Sequence, residues 1–215
     1  MTDQSARDAI LERARASLAD RPASPDVPRE YNRGTMADGA DPLERFADRV
    51  ASYRASVVRC AAADVGREVA AVLASIGATR FVAPAGIPEA WLALASGVVS
   101  DEPPLSHEQL DGIAAVVTGC AVAIAETGTI VLDAGPGQGR RVLTLLPDHH
   151  LCIVRADQVV PDVATALERV DPRRPLTWIS GPSATSDIEL QRIEGVHGPR
   201  NLHVLIVLPA GGSPA

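Results

Sequence analysis

Three short apolar runs follow one another almost without pause: Ile113 to Thr118, Ala121 to Glu126, and Thr129 to Asp133. Two residues separate each neighbouring pair, and no helix fits into two residues. The last two runs must therefore turn back locally as antiparallel or bent strands. Around this cluster the pattern alternates. Phe81-Val82-Ala83 reads as a strand and Pro88 to Ala95 as a helix. Further apolar runs occupy Val142 to Leu146, with β character, and Leu151 to Val154. Asp162 to Val170 reads as a helix behind Pro161. Leu176 to Ile179, a helix after Ser186, and a final run from Leu202 to Leu208 complete the alternation. Strands this apolar need cover on both faces, which predicts an α/β fold with helices on each side of the sheet.

The N-terminal part is helical in pattern. Ser5 to Leu18 is the first candidate, followed by a loop over residues 20–40 with Pro22, Pro25, Pro28 and Gly34, which Tyr31 docks. Asp41-Pro42 opens a helix by capping chemistry, and its apolar stripe reads Leu43, Phe46, Val50, Tyr53, Val57. Asp64 to Ile76 repeats the pattern and Gly77 stops it.

Composition excludes several chemistries. The chain has 215 residues, and 46% of them are apolar, enough for one substantial core. Net charge is −7 with no basic cluster, which argues against a nucleic-acid surface. No apolar run reaches membrane-span length and no signal-peptide core is present, so the chain reads as cytoplasmic. All 20 basic residues are arginine. A phosphate-loop lysine, a Schiff base and a pyridoxal phosphate anchor are thereby excluded. Cys60, Cys120 and Cys152 are far apart, without C-x-x-C, and cannot supply a four-thiolate cluster. They read as buried structural thiols. His149 and His150 are adjacent, so on a strand they face opposite sides and do not share a metal ion. No metal site is expected.

Two stretches carry candidate chemistry. The first is Ser180-Gly181-Pro182-Ser183-Ala184-Thr185-Ser186-Asp187, a tight turn, a hydroxyl cluster and an expected helix start. Free N–H groups at such a start favour an anion. The plainer reading is a capping box formed by Ser186 and Glu189. Gly181, Ser183, Thr185 and Ser186 are the ligand candidates here. The second stretch runs from Ala125 to Arg141. Glu126, Thr127 and Thr129 are polar within apolar sequence, and Gly128 permits a turn or close approach. Glu126 is the candidate catalytic carboxylate, as base, nucleophile or hydroxyl acceptor, or else simply a solvated hairpin residue. Gly135, Gly137 and Gly139 imitate a dinucleotide loop, but no helix pattern follows them. They read instead as a lid or an exposed hairpin tip. Arg140 and Arg141 present guanidinium forks to an anion. Both stretches are expected to converge on one cleft at the strand ends.

These motifs, with Leu145-Leu146-Pro147-Asp148-His149-His150 and Glu194-Gly195-Val196-His197-Gly198-Pro199, resemble those of the lactate-utilisation protein C family, built on the LUD domain. The likeness is dense from about residue 80 to 208. It implies a Rossmann-like sheet with helices on both faces and an added β element, similar to the NagB/RpiA/CoA-transferase group. With the Pro-rich loop chemistry, where the likeness is loose, it divides the chain into a helix and Pro-rich loop (1–40), the LUD domain (41–208) and a flexible tail (209–215). It also implies a subunit that works beside iron–sulfur proteins in oxidising L-lactate to pyruvate. That subunit binds a small carboxylate or other anion, or docks partners, with the clusters on the partner chains and no cofactor of its own. Homo-oligomerisation is left open. The alternative is a free-standing enzyme, acyl-CoA transferase-like or folate cyclo-ligase-like, that uses Glu126.

Overall fold

The computed structural model describes residues 3–20, 25–29, 39–186, 192–194 and 198–209. The chain divides into two compact units, Met1–Tyr31 and Asn32–Ala215. The first contains helix α1 (Asp3–Ser17). Tyr31 and the loop around it lie outside the described residues.

In the second unit, Asp41 caps α2 (Pro42–Ser52) by accepting the Leu43 N–H at 2.9 Å. Strand β1 (Ser56–Ala61), helix α3 (Val65–Ser75), strand β2 (Phe81–Val82), helix α4 (Glu89–Leu92), strand β3 (Val98–Val99) and helix α5 (His107–Asp111) follow. Next come β4 (Ala115–Thr118), β5 (Val122–Ile124), β6 (Thr129–Leu132), β7 (His149–Arg155) and β8 (Val159–Val160). Helix α6 (Val163–Arg169) and strands β9 (Thr177–Ile179), β10 (Ala184–Ser186), β11 (Arg192–Glu194) and β12 (Asn201–Leu208) close the chain.

Six strands form a wholly parallel sheet in the order β1-β12-β7-β4-β2-β3. The clustered runs behave as their short linkers require: β5 and β6 pair antiparallel, and with β8 and β9 they build a second, four-stranded sheet. One face of the parallel sheet packs on α3 and α4 through Val65, Val69, Leu73, Phe81, Val117 and Ile153. The other face has two separate covers. Helix α2 and the second sheet lie over β7 and β12, with Phe46, Val50, Ile130, Val154 and Ile206 in contact. Leu110 of α5 and Leu143 lie over β2 and β4, against Val82 and Val116.

Three expectations are corrected, and two elements went unannounced in the sequence. The apolar stripe from Leu43 does not stay helical through Val57. Arg54 takes a left-handed conformation (φ 67°), the helix ends, and Val57 enters β1. Tyr53 to Val57 is a helical spacing by coincidence, because a β-branched pair happens to start there. The run Val142 to Leu146 is no strand. Residues Arg141–Thr144 form a 3₁₀ turn that delivers Leu143 to the core. Of the helix expected after Ser186, residues 187–191 lie outside the described residues, while Arg192 and Ile193 are strand, in an antiparallel ribbon in which Ser186 pairs with Arg192. Asp187 and Glu189 of the supposed cap lie outside the described residues. Finally, β3 and the capping-box helix α5 had no apolar run long enough to announce them.

Among the described residues, every member of the four apolar clusters lies between Leu43 and Leu208. Deletion of residues 1–38 is therefore expected to leave a cooperative thermal transition. Loss of that transition would place the segment in the core.

Candidate functional site

The seam between the two covers exposes one rung of the sheet. Val116, His150 and Leu202 are register partners on β4, β7 and β12, so they project from the same face. Val116 lies under one cover and Leu202 under the other. Between them, at His150, a cleft of about 240 Å³ opens. Its walls come from the 3₁₀ turn (Arg141, Thr144), the segment from Trp178 to Ser183, and Gly198-Pro199.

The two stretches singled out in the sequence meet beside this cleft. Ile130 pairs with Ile179, which places Ser180 next to Thr129. Their hydroxyls lie 2.8 Å apart, and the Thr127 hydroxyl is 2.7 Å from that of Thr129. Two glycines make the approach to α2 possible. A Cβ on Gly181 (φ +80°) would stand 2.6 Å from Tyr53 Cβ, and one on Gly128 (φ +62°) 2.7 Å from Arg49 Cβ. Only glycine suits either position. Ser183 lines the cleft and donates its backbone N–H to Pro199 at 2.9 Å. Thr185 and Ser186 are placed by their backbone in the ribbon.

The neighbouring arginines have different employment. Arg140 binds both oxygens of Asp101, at 2.7 and 2.8 Å, and donates to the Leu105 carbonyl. This fork holds Asp101 below the usual carboxylate range and is a structural clamp. Arg141 donates to the Thr144 carbonyl and hydroxyl. Among the described residues no carboxylate pairs with it. Partial loss of solvent alone pulls its pKa down, and an arginine so shifted is still charged.

His150 is buried, 1% exposed, with Nε2 2.7 Å from the Thr118 hydroxyl. Thr118 is the register partner of Cys152, which also lies against the ring. Cys152 and Cys120 are in hydrogen-bond contact, fully buried. The bond from Cys120 chiefly pulls the Cys152 thiol down, with His150 and Thr118 adding to it, while Cys120 is pushed up in turn.

Other sequence candidates lie elsewhere. Glu126 is exposed at the β5–β6 turn, donates its N–H to the Pro161 carbonyl, and does not line the cleft. The glycine-rich loop sits at the carboxyl ends of β2 and β4: Gly119 N–H donates to Gly137, and Gly137 N–H to Ala85, both at 2.8 Å. Gly137 (φ +74°) and Gly139 (φ +69°) are held there by close packing on Gly86, Pro84 and Leu143. The cavity beside this loop, about 470 Å³, contains Arg140 together with Asp101 and Glu102. One shared cleft was expected; the cleft at His150 and the loop cavity are separate. Among the described residues no group of three or more His, Cys, Asp or Glu is placed to hold a metal ion, and no helix is long and apolar enough to cross a membrane.

Comparison with known proteins fixes the family. A model described as the LUD domain matches residues 93–207. Lactate utilization protein C of Deinococcus radiodurans is 52% identical over 172 residues, covering 78% of this chain and 80% of that protein. The chain belongs to the LUD domain family. A crystal structure of a DUF162 family protein from Deinococcus radiodurans superposes on it with a TM-score of 0.68 at 46% identity, covering 77% of this chain and 96% of that one. Lactate utilization protein C of Halalkalibacterium halodurans is 34% identical over 99 residues, 42% of this chain and 43% of that protein. The matched LUD segment contains every residue that lines the cleft.

Sequence reasoning missed Thr118, Thr144 and His150 as site residues. The signal for His150 was present: it precedes Cys152 by two on one strand, so the two share a face. Its neighbour His149 faces the opposite side of the LUD sheet and stacks on His203, with Nδ1 and Nε2 3.2 Å apart. Loss of solvent lowers both pKa values from 6.5, and for His149 Arg200 adds to the shift while Asp148 opposes it. The fold thus favours neutral rings. That stability is present above about pH 6.5 and lost as pH falls through the lowered folded-state values. The thermal midpoint is expected to drop on acidification across this window, and His203→Phe to flatten the drop. An unchanged slope would contradict it.

Proposed function

We propose that this chain serves in lactate utilisation by binding a small carboxylate in the cleft at Arg141. One observation carries the reading: a charged guanidinium lines the cleft, and among the described residues no carboxylate neutralises it. The larger cavity at the glycine-rich loop offers the opposite balance, two acids against one arginine. A cleft of about 240 Å³ falls below the ordinary range for drug-sized ligands, which favours a molecule of few carbon atoms over a long thioester cofactor. Two relatives named lactate utilization protein C support a lactate-type carboxylate as the ligand in this reading.

The system oxidises L-lactate to pyruvate, and the two electrons removed need an acceptor. Three cysteines without C-x-x-C do not furnish a four-thiolate set. In this reading the iron–sulfur clusters that the family resemblance implies sit on partner proteins, and this chain presents the carboxylate to them. Calorimetric titration of the full chain with L-lactate and pyruvate is the test. Saturable binding is expected, and absence of both heat and thermal stabilisation with either ligand would overturn the reading. The isolated chain with L-lactate is expected to reduce no artificial electron acceptor until iron–sulfur proteins are added. Rapid dye reduction by the chain alone would contradict the division of labour.

A further inference from the structure

We infer that the cleft selects carboxylates bearing an oxygen on carbon 2, with His150 as the residue that reads that oxygen. The inference rests on the carboxylate site proposed above and adds its specificity. His150 shares the cleft with Arg141, so one ligand of three or four carbons meets a cation and an imidazole together. The ring is fixed: it is 1% exposed, and Thr118 engages Nε2 at 2.7 Å. Thr118 lies two residues further along β4 and takes Nε2. Nδ1 is assigned to the ligand. An imidazole nitrogen offers either an acceptor for a hydroxyl or a donor for a keto oxygen there, according to where the proton sits. Trp178 and Leu202 supply the apolar wall for the remaining alkyl group. A site built to hydrogen-bond an oxygen disfavours the analogue that lacks it, because its own polar atom is then left unpaired.

The experiment is calorimetric titration of the full chain with L-lactate, pyruvate and propionate. These share the carboxylate and chain length, and only propionate lacks the oxygen on carbon 2. L-lactate or pyruvate is expected to bind at least about tenfold more tightly than propionate, which corresponds to about 1.4 kcal/mol. The same titrations on Thr118→Val test Thr118 as a positioning residue. This near-isosteric change frees the ring, and it is expected to weaken lactate while leaving propionate unchanged, which a general loss of structure would not do. His150→Gln is expected to bring lactate down to the propionate level, with propionate binding reporting an intact cleft. Equal affinity of the wild-type chain for all three ligands would overturn this inference and leave the carboxylate site standing. Binding of none of them would remove both.

Discussion

Truncation of Phe46 to alanine is expected to lower the stability of the domain by about 3–5 kcal/mol. The side chain is wholly buried on α2, where it meets residues of both sheets: Ile130 and Leu132 from the smaller one, Val154 and Ile206 from the larger. Aromatic residues make up only 3% of the chain, so Phe46 is one of few large plugs in a core of Val, Leu, Ile and Ala. Small aliphatic neighbours on rigid strands cannot collapse into the space it leaves. For a domain of this size the loss corresponds to a midpoint lowered by roughly 6–20 °C. Denaturant titration checks it. A shifted midpoint at unchanged slope is the expected result, and a shift worth less than about 1 kcal/mol would show that α2 does not join the sheets as described.

The second large effect is on binding. Arg141→Ala is expected to weaken L-lactate or pyruvate by about 10–100-fold, the usual worth of a charge-assisted hydrogen bond in a partly screened site. Arg140→Ala is the informative control. Its guanidinium is consumed by Asp101 and the Leu105 carbonyl, so the change is expected to cost stability and leave affinity within about twofold. The reverse pattern would move the anion to the glycine-rich loop.

That pair of arginines shows where reading the sequence stops. Both were credible anion ligands, and nothing local separates them. The separation comes from Asp101, 39 residues before Arg140, brought near by the strand order. Helices with explicit caps were legible: Asp41-Pro42 before α2, and Pro161-Asp162 before α6, where Asp162 accepts the Thr165 N–H. The antiparallel β5–β6 hairpin followed from linker length alone. Strand β1 was hidden because its valines continue a helical spacing by accident, and only the left-handed Arg54 breaks it. The 3₁₀ turn at Arg141–Thr144 was hidden for a different reason. Five apolar or β-branched residues in a row, Val142 to Leu146, have no period to read, and burial of Leu143 under α5 decides the conformation of the turn. The convergence of the Thr127–Thr129 and Ser180–Ser183 stretches was legible as a pairing of motifs. The shared face of His150 and Cys152 was legible, but the place of His150 at the cleft was not, because it depends on where two covering layers leave a gap.

A crystal structure of the full chain grown with L-lactate tests the central claim most directly. The account predicts the carboxylate against the Arg141 guanidinium, with the carbon-2 oxygen toward His150 and the methyl toward Trp178 and Leu202. Ligand density beside Gly135, Gly139 and Arg140 instead, with the Arg141 cleft empty, would contradict it.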